Sequence, residues 1–392
     1  MDLTRKVQKA VIAIAFIGCF FAVNYALNKP LPGQAPTAAS KFMFARAKVV
    51  KMLEDNASPD TWTEGLKLGS QEASFSILSG PLKGKTLNAV NYLSAYSNID
   101  LSVGTGVIVR LDYDEQGNPY IASVANYDRT GALIALVLAF MAALAIIGGR
   151  KGISALAGLA FTVISIWLFL IPLLRRGFPP IGGALLLSAV TTLVSLLLLN
   201  GYSRKTFCAA AGCVGGVAIS GLAAWLVGVA TPISGFNMPE AEELVIRSLD
   251  SGMKIKGLLV SGILIASLGA VMDVAMTLSS AVFELHERNP RLDRAELFKS
   301  GINIGRDAMG TMANTLILAF AGTSLNMLIL FRMFDYPYIQ LFNSDLMTIE
   351  VISGFAGSLG IVLTVPLVAA LSSFYCKSSK EDVAHKARRR RR

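Results

Sequence analysis

The sequence predicts an α-helical polytopic membrane protein with about eight transmembrane helices and a small extracytoplasmic β-barrel-like domain between the first two. Three observations lead to this fold class. Hydrophobic residues make up 53% of the 392 residues and charged residues only 16%, which is too apolar for one water-soluble core. Eight apolar stretches approach the roughly 20 residues that a helix needs to cross a bilayer. Between the first two stretches lie short segments with strand-like alternation.

The first predicted span differs from a cleaved signal peptide. Arg5, Lys6 and Lys9 precede it, as in a signal peptide, but its apolar run is longer than the usual core of about 7–15 residues. We therefore expect a retained anchor. The eight predicted spans cover residues 10–28, 130–149, 152–174, 181–200, 206–230, 257–284, 309–332 and 350–375.

The orientation follows from the short loops in which basic residues gather, because such loops stay in the cytoplasm. If the N-terminus is inside, every inside loop is basic and both termini are cytoplasmic. Arg175 and Arg176 are the exception, since they fall outside. The basic residues of the inside loops are Arg150, Lys151, Arg204, Lys205, Arg288, Arg291, Arg294, Lys299 and Arg306.

The C-terminal tail carries most of the excess positive charge. Residues 377–392 hold eight basic and two acidic residues, within a chain whose formal net charge is +10. Clusters of this kind beside a span are attracted to anionic lipid headgroups of the bilayer. We expect this partner and no nucleic acid.

The sequence divides into an N-terminal anchor (1–28), a linker (29–41), an extracytoplasmic β-rich domain (42–127), a seven-helix transmembrane domain (130–376) and the basic tail. Alternation at 107–113, a turn at 115–119 and a partner strand at 120–124 predict a hairpin. Further strands near 42–52, 67–78 and 86–92 complete a five-stranded barrel of SH3 or OB type. We expect it to pack or to dock a partner.

Two loops of the transmembrane domain have helical character of their own. The acidic loop 231–256 predicts a short amphipathic helix on the membrane surface. Inside, Asn289 and Pro290 break the sixth span, and residues 295–304 predict a separate surface helix before the seventh.

The sequence lacks the residue patterns that metal binding, redox chemistry and the common enzyme classes require. The cysteines Cys19, Cys208, Cys213 and Cys376 lie in or beside apolar spans, without metal or redox spacing, and the chain has only two histidines. The sequence has no nucleophile elbow, zinc-protease motif, Walker loop or dinucleotide fingerprint. We expect no enzyme activity, no metal and no cofactor.

A line of polar residues runs along the sixth span. Asp273 lies in the apolar middle of this span. A carboxylate at that position raises the free energy of membrane insertion by a few kcal/mol, which indicates that Asp273 has a structural or functional role. Thr277, Ser280 and Glu284 follow at i+4, i+7 and i+11, which places all four on one helical face. Towards the outside the face continues with small residues, beginning at Gly262.

The seventh span has a matching line of Asp307, Thr311 and Asn314. Two such lines on consecutive antiparallel spans satisfy one another by facing inward, and this is the arrangement we expect. One interpretation is a hydrated ion or substrate pathway in which Asp273 changes protonation. The other is a structural hydrogen bond from Asp273 that locks the bundle.

The sixth and seventh spans resemble the YibE/F family of bacterial membrane proteins, which are described as multitransmembrane permeases. The resemblance implies a multi-pass protein of the bacterial cytoplasmic membrane. It is carried by residues 269–275 (GAVMDVA), Ser279, Ser280, Glu284, 305–311 (GRDAMGT) and 314–323 (NTLILAFAGT).

A weaker likeness in pattern links the intramembrane Asp, the following carboxylates and the Asn-bearing span to the proton-coupled SecD/SecF and RND permease helices. This chain differs in having two further spans before the Asp helix and a smaller outside domain. Two functions remain open: a secondary transporter or permease subunit, coupled to an ion through Asp273, and a non-transporting scaffold that docks a partner through its β domain. In both cases we expect a second copy of the chain or another membrane protein as a partner.

Overall fold

The computed structural model describes residues 24–28, 42–114, 119–248 and 252–376. The chain divides into two compact units, one covering Pro32–Ala143 and the other Met1–Leu31 together with Leu144–Arg392. Most of the predicted first span, the linker, most of the turn at 115–119 and the basic tail lie outside the described residues.

The first unit contains a small closed barrel. Its strands are β1 (Phe42–Asp55), β2 (Ser58–Pro59), β3 (Lys67–Ile77), β4 (Thr86–Leu93), β5 (Gly106–Tyr113) and β6 (Pro119–Tyr127). They follow the order β1-β5-β6-β4-β3-β2, and an antiparallel pairing of β1 with β3 closes a ring of five strands. The strand β4 runs parallel to β6. This connectivity is of the OB type, so the predicted five-stranded barrel is confirmed and OB is the topology of the two alternatives.

The barrel interior comes from alternation along each strand. In β1, Ala45, Ala47 and Val49 are buried while the residues between them are exposed. The strands β3, β4 and β5, the 99–101 segment and Leu82 supply the remaining apolar side chains, and this core excludes water from the ring. The further buried members are Ala73, Phe75, Ile77, Leu82, Ala89, Ile99, Leu101, Val107, Val109 and Leu111.

Two buried amides connect the barrel wall to the segment between β4 and β5. The Gln71 side chain accepts from the Leu101 backbone N–H at 2.8 Å and donates to the Leu101 carbonyl at 3.3 Å. The Asn91 amide donates to the Ile99 carbonyl at 2.6 Å. Because the interior offers no water, these side chains replace the strand partners that residues 99–101 lack.

The described part of the second unit is mainly helical. Its longest helix begins at Thr130, in the first unit, and continues into the second. The helices are α1 (Thr130–Ser165), α2 (Ile171–Arg175), α3 (Pro180–Asn200), α4 (Arg204–Ala230), α5 (Ala241–Ser248), α6 (Leu258–Arg288), α7 (Arg294–Thr323), α8 (Leu325–Met333), α9 (Tyr338–Phe342) and α10 (Asp345–Tyr375). A π-helical segment, Ile166–Leu170, joins α1 to α2, and α5 lies in the acidic loop.

Among the described residues, five helical segments are long and apolar enough to cross a membrane, or six if α7 and α8 form one span. The 46-residue segment Thr130–Arg175 counts once, although it contains the second and third predicted spans. It breaks at Gly149, whose φ of 53° and ψ of −134° lie outside the helical region. About 46 residues of helix would measure roughly 69 Å, twice the bilayer core. The total of eight spans remains a prediction.

The seventh predicted span has a different shape from the one expected. Residues 295–304 belong to α7, one continuous helix that begins at a capping box formed by Asp293 and Glu296, so the expectation of a separate surface helix is wrong. The cap satisfies the first backbone N–H groups, and nothing interrupts the helix before Thr323. At Ser324 the chain bends by 56° into α8.

Arg176, which violated the charge rule, has a local function. Its guanidinium donates to the Ala26 carbonyl at 2.7 Å and to the Leu27 carbonyl at 3.0 Å. These carbonyls end the helical turn at residues 24–27, where a cation is favourable. The positive charge of Arg176 therefore caps a helix C-terminus.

The bundle is built around α4, α6 and α10, which share one buried core. The helices α4 and α10 approach closely where Gly216 faces Gly360 and Thr364. A Cβ added to Gly360 would lie 2.8 Å from the Gly216 carbonyl oxygen and 2.7 Å from the Ser220 Cβ. Contact of this kind between small residues is how helices associate in membranes.

Candidate functional site

Asp273 occupies the centre of α6. The helix has 31 residues from Leu258 to Arg288, so Asp273 lies fifteen residues from each end, about 22 Å along the axis. The side chain is exposed. Its carboxylate has neither a hydrogen bond nor an ion pair within the described residues, so the structural lock to a neighbouring Asn or Ser is not formed there.

The other polar residues of α6 extend the same open face towards its C-terminal end. Thr277 and Glu284 are exposed and Ser280 is half-buried. Glu284 accepts from Arg288 at 2.9 Å in an i,i+4 ion pair on the surface. The face thus leads from an unpaired acid at mid-span to a paired acid near the helix end.

The α7 residues are also exposed. Asp307, Thr311 and Asn314 all lie on the open side of that helix. The Thr311 hydroxyl donates to the backbone of its own helix, at 3.0 Å from the Ala308 carbonyl oxygen. No hydrogen bond joins the α6 line to the α7 line within the ranges that the structure covers.

This arrangement differs from the expected one, in which the two lines faced inward. The reason lies on the opposite faces of the two helices. Leu264, Val271 and Val274 of α6 are buried in the core shared with α4 and α10. On α7, Gly301 and Gly305 pack against α10. With these faces buried, the polar lines remain on the outside of the described bundle, and their assignment to a pathway stays a prediction.

The open face of α6 also has little side-chain bulk. Towards the N-terminal end of the helix it continues with Gly262, Ala266 and Gly269, all exposed. A Cβ built on Gly262 or Gly269 meets nothing within 4 Å. Water, a solute or another helix can therefore come close to the backbone on this face.

The polar contacts inside the bundle come from serines that the sequence did not single out as a site. The Ser279 hydroxyl donates to the Lys205 carbonyl at 2.8 Å and accepts from Ser372 at 3.3 Å. Ser220 and Ser267 lie 3.5 Å apart, with both side chains buried. Their hydroxyls join α4, α6 and α10. Serine occurs on buried and open faces alike, so no sequence signal distinguishes these residues.

The described chain offers no evident metal centre. Within its ranges no three His, Cys, Asp or Glu side chains are grouped so that they could hold a metal ion. Cys208, Cys213 and Cys376 are buried free thiols, and Cys19 lies outside the described residues.

The long apolar helices are those of an α-helical protein of the membrane class, and the chain also carries a small β-barrel. The family model described as YibE/F-like protein matches residues 136–378, well over half of the chain. The chain belongs to the YibE/F-like family, and the resemblance seen in its sixth and seventh spans is confirmed. Neither the curated proteins nor the solved structures give a match.

Proposed function

We propose that this protein is a secondary transporter or permease subunit of the bacterial cytoplasmic membrane, coupled to an ion through Asp273. The single observation that supports this function is the carboxylate at the middle of α6, which has no hydrogen bond or ion pair within the described residues. The proposal involves no catalytic residue, metal or cofactor.

The cost of that carboxylate decides what must surround it. Placing an Asp against hydrocarbon at mid-span costs about 2.5–3.5 kcal/mol on insertion scales. Within the described chain no donor offsets this cost. Water, or polar groups from the undescribed residues, a second copy or another membrane protein, must therefore meet Asp273. We propose that it is water, which makes the open face of α6 a polar passage.

The passage has a direction. From Asp273 to Glu284 the polar face advances eleven residues, about 16 Å along α6. Thr277 and Ser280 supply hydroxyls that relay a proton or replace part of an ion's hydration. We assign the exposed polar residues of α7, Asp307, Thr311 and Asn314, to the same pathway. Asp273 binds and releases the coupling ion, and Glu284 lies at the exit.

The basic ends of the helices support an orientation for this passage. Arg204 begins α4, Arg288 ends α6 and Arg294 begins α7, so these charges share one end of the bundle. By the positive-inside rule this end is cytoplasmic. Glu284 then lies on the cytoplasmic side of Asp273, and both termini are cytoplasmic.

Proton flux into proteoliposomes tests the relay. The probe is entrapped pyranine, with a potassium diffusion potential as the driving force. We expect Asp273→Asn to abolish the flux, because the amide cannot release a proton. Asp335→Asn is the matched control, since Asp335 has the same side chain in an exposed ion pair with Arg332 outside the polar face. Equal flux by Asp273→Asn and the control across pH would refute the relay.

One observation favours the scaffold as a second candidate. The most exposed aromatic side chains among the described barrel residues are Trp62 at 93%, Tyr92 at 73% and Tyr96 at 101% relative exposure. Exposed aromatic residues of this kind anchor protein interfaces. A cross-linked partner that is lost in the Trp62→Ala/Tyr96→Ala variant, together with the absence of flux in the intact chain, would favour docking over transport.

A further inference from the structure

A cavity of about 640 Å³ lies at the basic end of the bundle, apart from the polar face of α6. It forms where α4 and α7 begin and α10 ends. A volume of this size is typical of small-molecule sites. Its lining consists of Arg204, Phe207, Cys208, Ala211, Arg294, Leu371, Phe374, Tyr375 and Cys376.

The charge of this cavity has one sign. Arg204 and Arg294 are its charged lining residues, and none of the described lining residues is a carboxylate. Glu287 interacts electrostatically with the lining residue Cys376 without itself lining the cavity. The nearby acids Asp293 and Glu296 bond to each other's backbone N–H in the capping box of α7. Arg204 has no ion pair among the described residues. The cavity therefore presents a field that favours an anion.

The polarity of the lining changes along the helix axes. On α4, Arg204 is followed by Phe207 and Ala211 at i+3 and i+7, which descends about 10 Å from the charged end. On α10, Phe374 and Leu371 do the same. The Arg294 guanidinium lies 5.0 Å from the Phe374 ring centroid, so charge and apolar surface meet at this level.

We infer that this cavity binds an anionic phospholipid, with the phosphate between Arg204 and Arg294 and the start of an acyl chain along Phe207, Ala211 and Leu371. A free phosphate would use only the charged mouth. A lipid contacts the whole lining. Its headgroup lies at the level of the charged residues, and its acyl chain lies at the level of the apolar residues. Basic pockets between spans on the cytoplasmic side bind anionic lipids in this way. The site does not depend on a transport function.

Native mass spectrometry of the full chain tests the inference. The protein is purified in neutral detergent and titrated with phosphatidylglycerol or with phosphatidylcholine. We expect one phosphatidylglycerol to bind in preference to phosphatidylcholine. In Arg204→Gln/Arg294→Gln binding should weaken about thirtyfold, the factor expected for two neutralised charges at a membrane surface. Arg150→Gln/Lys151→Gln removes the same charge elsewhere and should bind like the parent chain.

A second variant distinguishes the binding of a whole lipid from the binding of its phosphate headgroup alone. Ala211 is exposed, so Ala211→Phe fills the apolar part of the cavity without entering the core. A lipid site loses affinity in this variant and is not blocked by glycerol phosphate. Three outcomes would each overturn the inference. They are unchanged lipid binding by Ala211→Phe, equal binding by the two double variants, and equal binding of the two lipids. Circular dichroism confirms that each variant is folded.

Discussion

The close approach of α4 and α10 predicts a strong asymmetry between two glycines of α10. In Gly360→Ala the new methyl would lie 2.7 Å from the Ser220 Cβ and 2.8 Å from the Gly216 carbonyl oxygen. Both distances are shorter than real Cβ contacts, and one partner is backbone, so the helices must separate. Overpacking of this kind costs about 1–3 kcal/mol, offset by up to about 1 kcal/mol of helix propensity.

Gly354→Ala is the matched control on the same helix. A Cβ there meets Ile317 and Phe320 atoms at 3.8–3.9 Å, which is ordinary van der Waals contact. We expect this variant to be neutral or up to about 1 kcal/mol more stable than the parent chain. The two alanines, six positions apart, should differ by about 2 kcal/mol in the free energy of unfolding.

Unfolding in mixed micelles with increasing SDS measures this difference, with helix content read by circular dichroism. The ratio of SDS to detergent at the midpoint should fall for Gly360→Ala and stay level or rise for Gly354→Ala. If Gly360→Ala is as stable as Gly354→Ala, the close approach of α4 and α10 is not a determinant of the packing.

Two further predictions concern the barrel. Gln71→Ala leaves the Leu101 N–H and carbonyl without partners in the core, so the barrel should lose about 1–3 kcal/mol of stability in urea, measured by pulse-labelling hydrogen exchange of the β3 and β4 peptides. The second prediction concerns the stability of the barrel at low pH. Hydrogen bonds from Thr130 and then from Arg46 hold the pKa of Asp128 below its usual 3.8. The stabilisation is therefore present above the unfolded-chain pKa near 3.8 and is lost as pH falls through the lower folded-state pKa. The same pulse-labelling at pH 5 and pH 2 should show this loss in the parent chain but not in Asp128→Asn.

Each of the two barrel predictions has an outcome that would contradict it. Asn88→Ala removes an exposed hydrogen bond with Ser74 on neighbouring strands, so its cost should stay within about 0.5 kcal/mol. A Gln71→Ala barrel as stable as that control would show that the buried amide does not hold the 99–101 segment. An Asp128→Asn variant that keeps the full acid sensitivity of the parent chain would assign that sensitivity to other carboxylates.

Much of the architecture was predictable because hydropathy and alternation are local signals. The strands near 42–52, 67–78 and 86–92 follow from a period of two, and the structure closes them into the expected barrel. The OB connectivity was beyond the sequence, because the parallel pairing of β4 with β6 is a contact between distant segments.

For the candidate site the sequence identified a face but not its surroundings. The spacing of Asp273, Thr277 and Glu284 fixes which residues share a side of α6, since that follows from 3.6 residues per turn. It does not decide whether this side meets α7 or stays open. The core that α6 shares with α4 and α10 determines which side of α6 is buried.

The sequence by itself therefore determined the apolar helical class, the barrel and the position of Asp273 at the middle of its helix, because hydropathy and periodicity act along the chain. Only the tertiary structure decided that the polar lines of α6 and α7 face away from the bundle core, that α7 is continuous to Thr323, and that two arginines from different helices share one cavity. These features depend on the steric fit between helices far apart in sequence, and no local pattern encodes that fit.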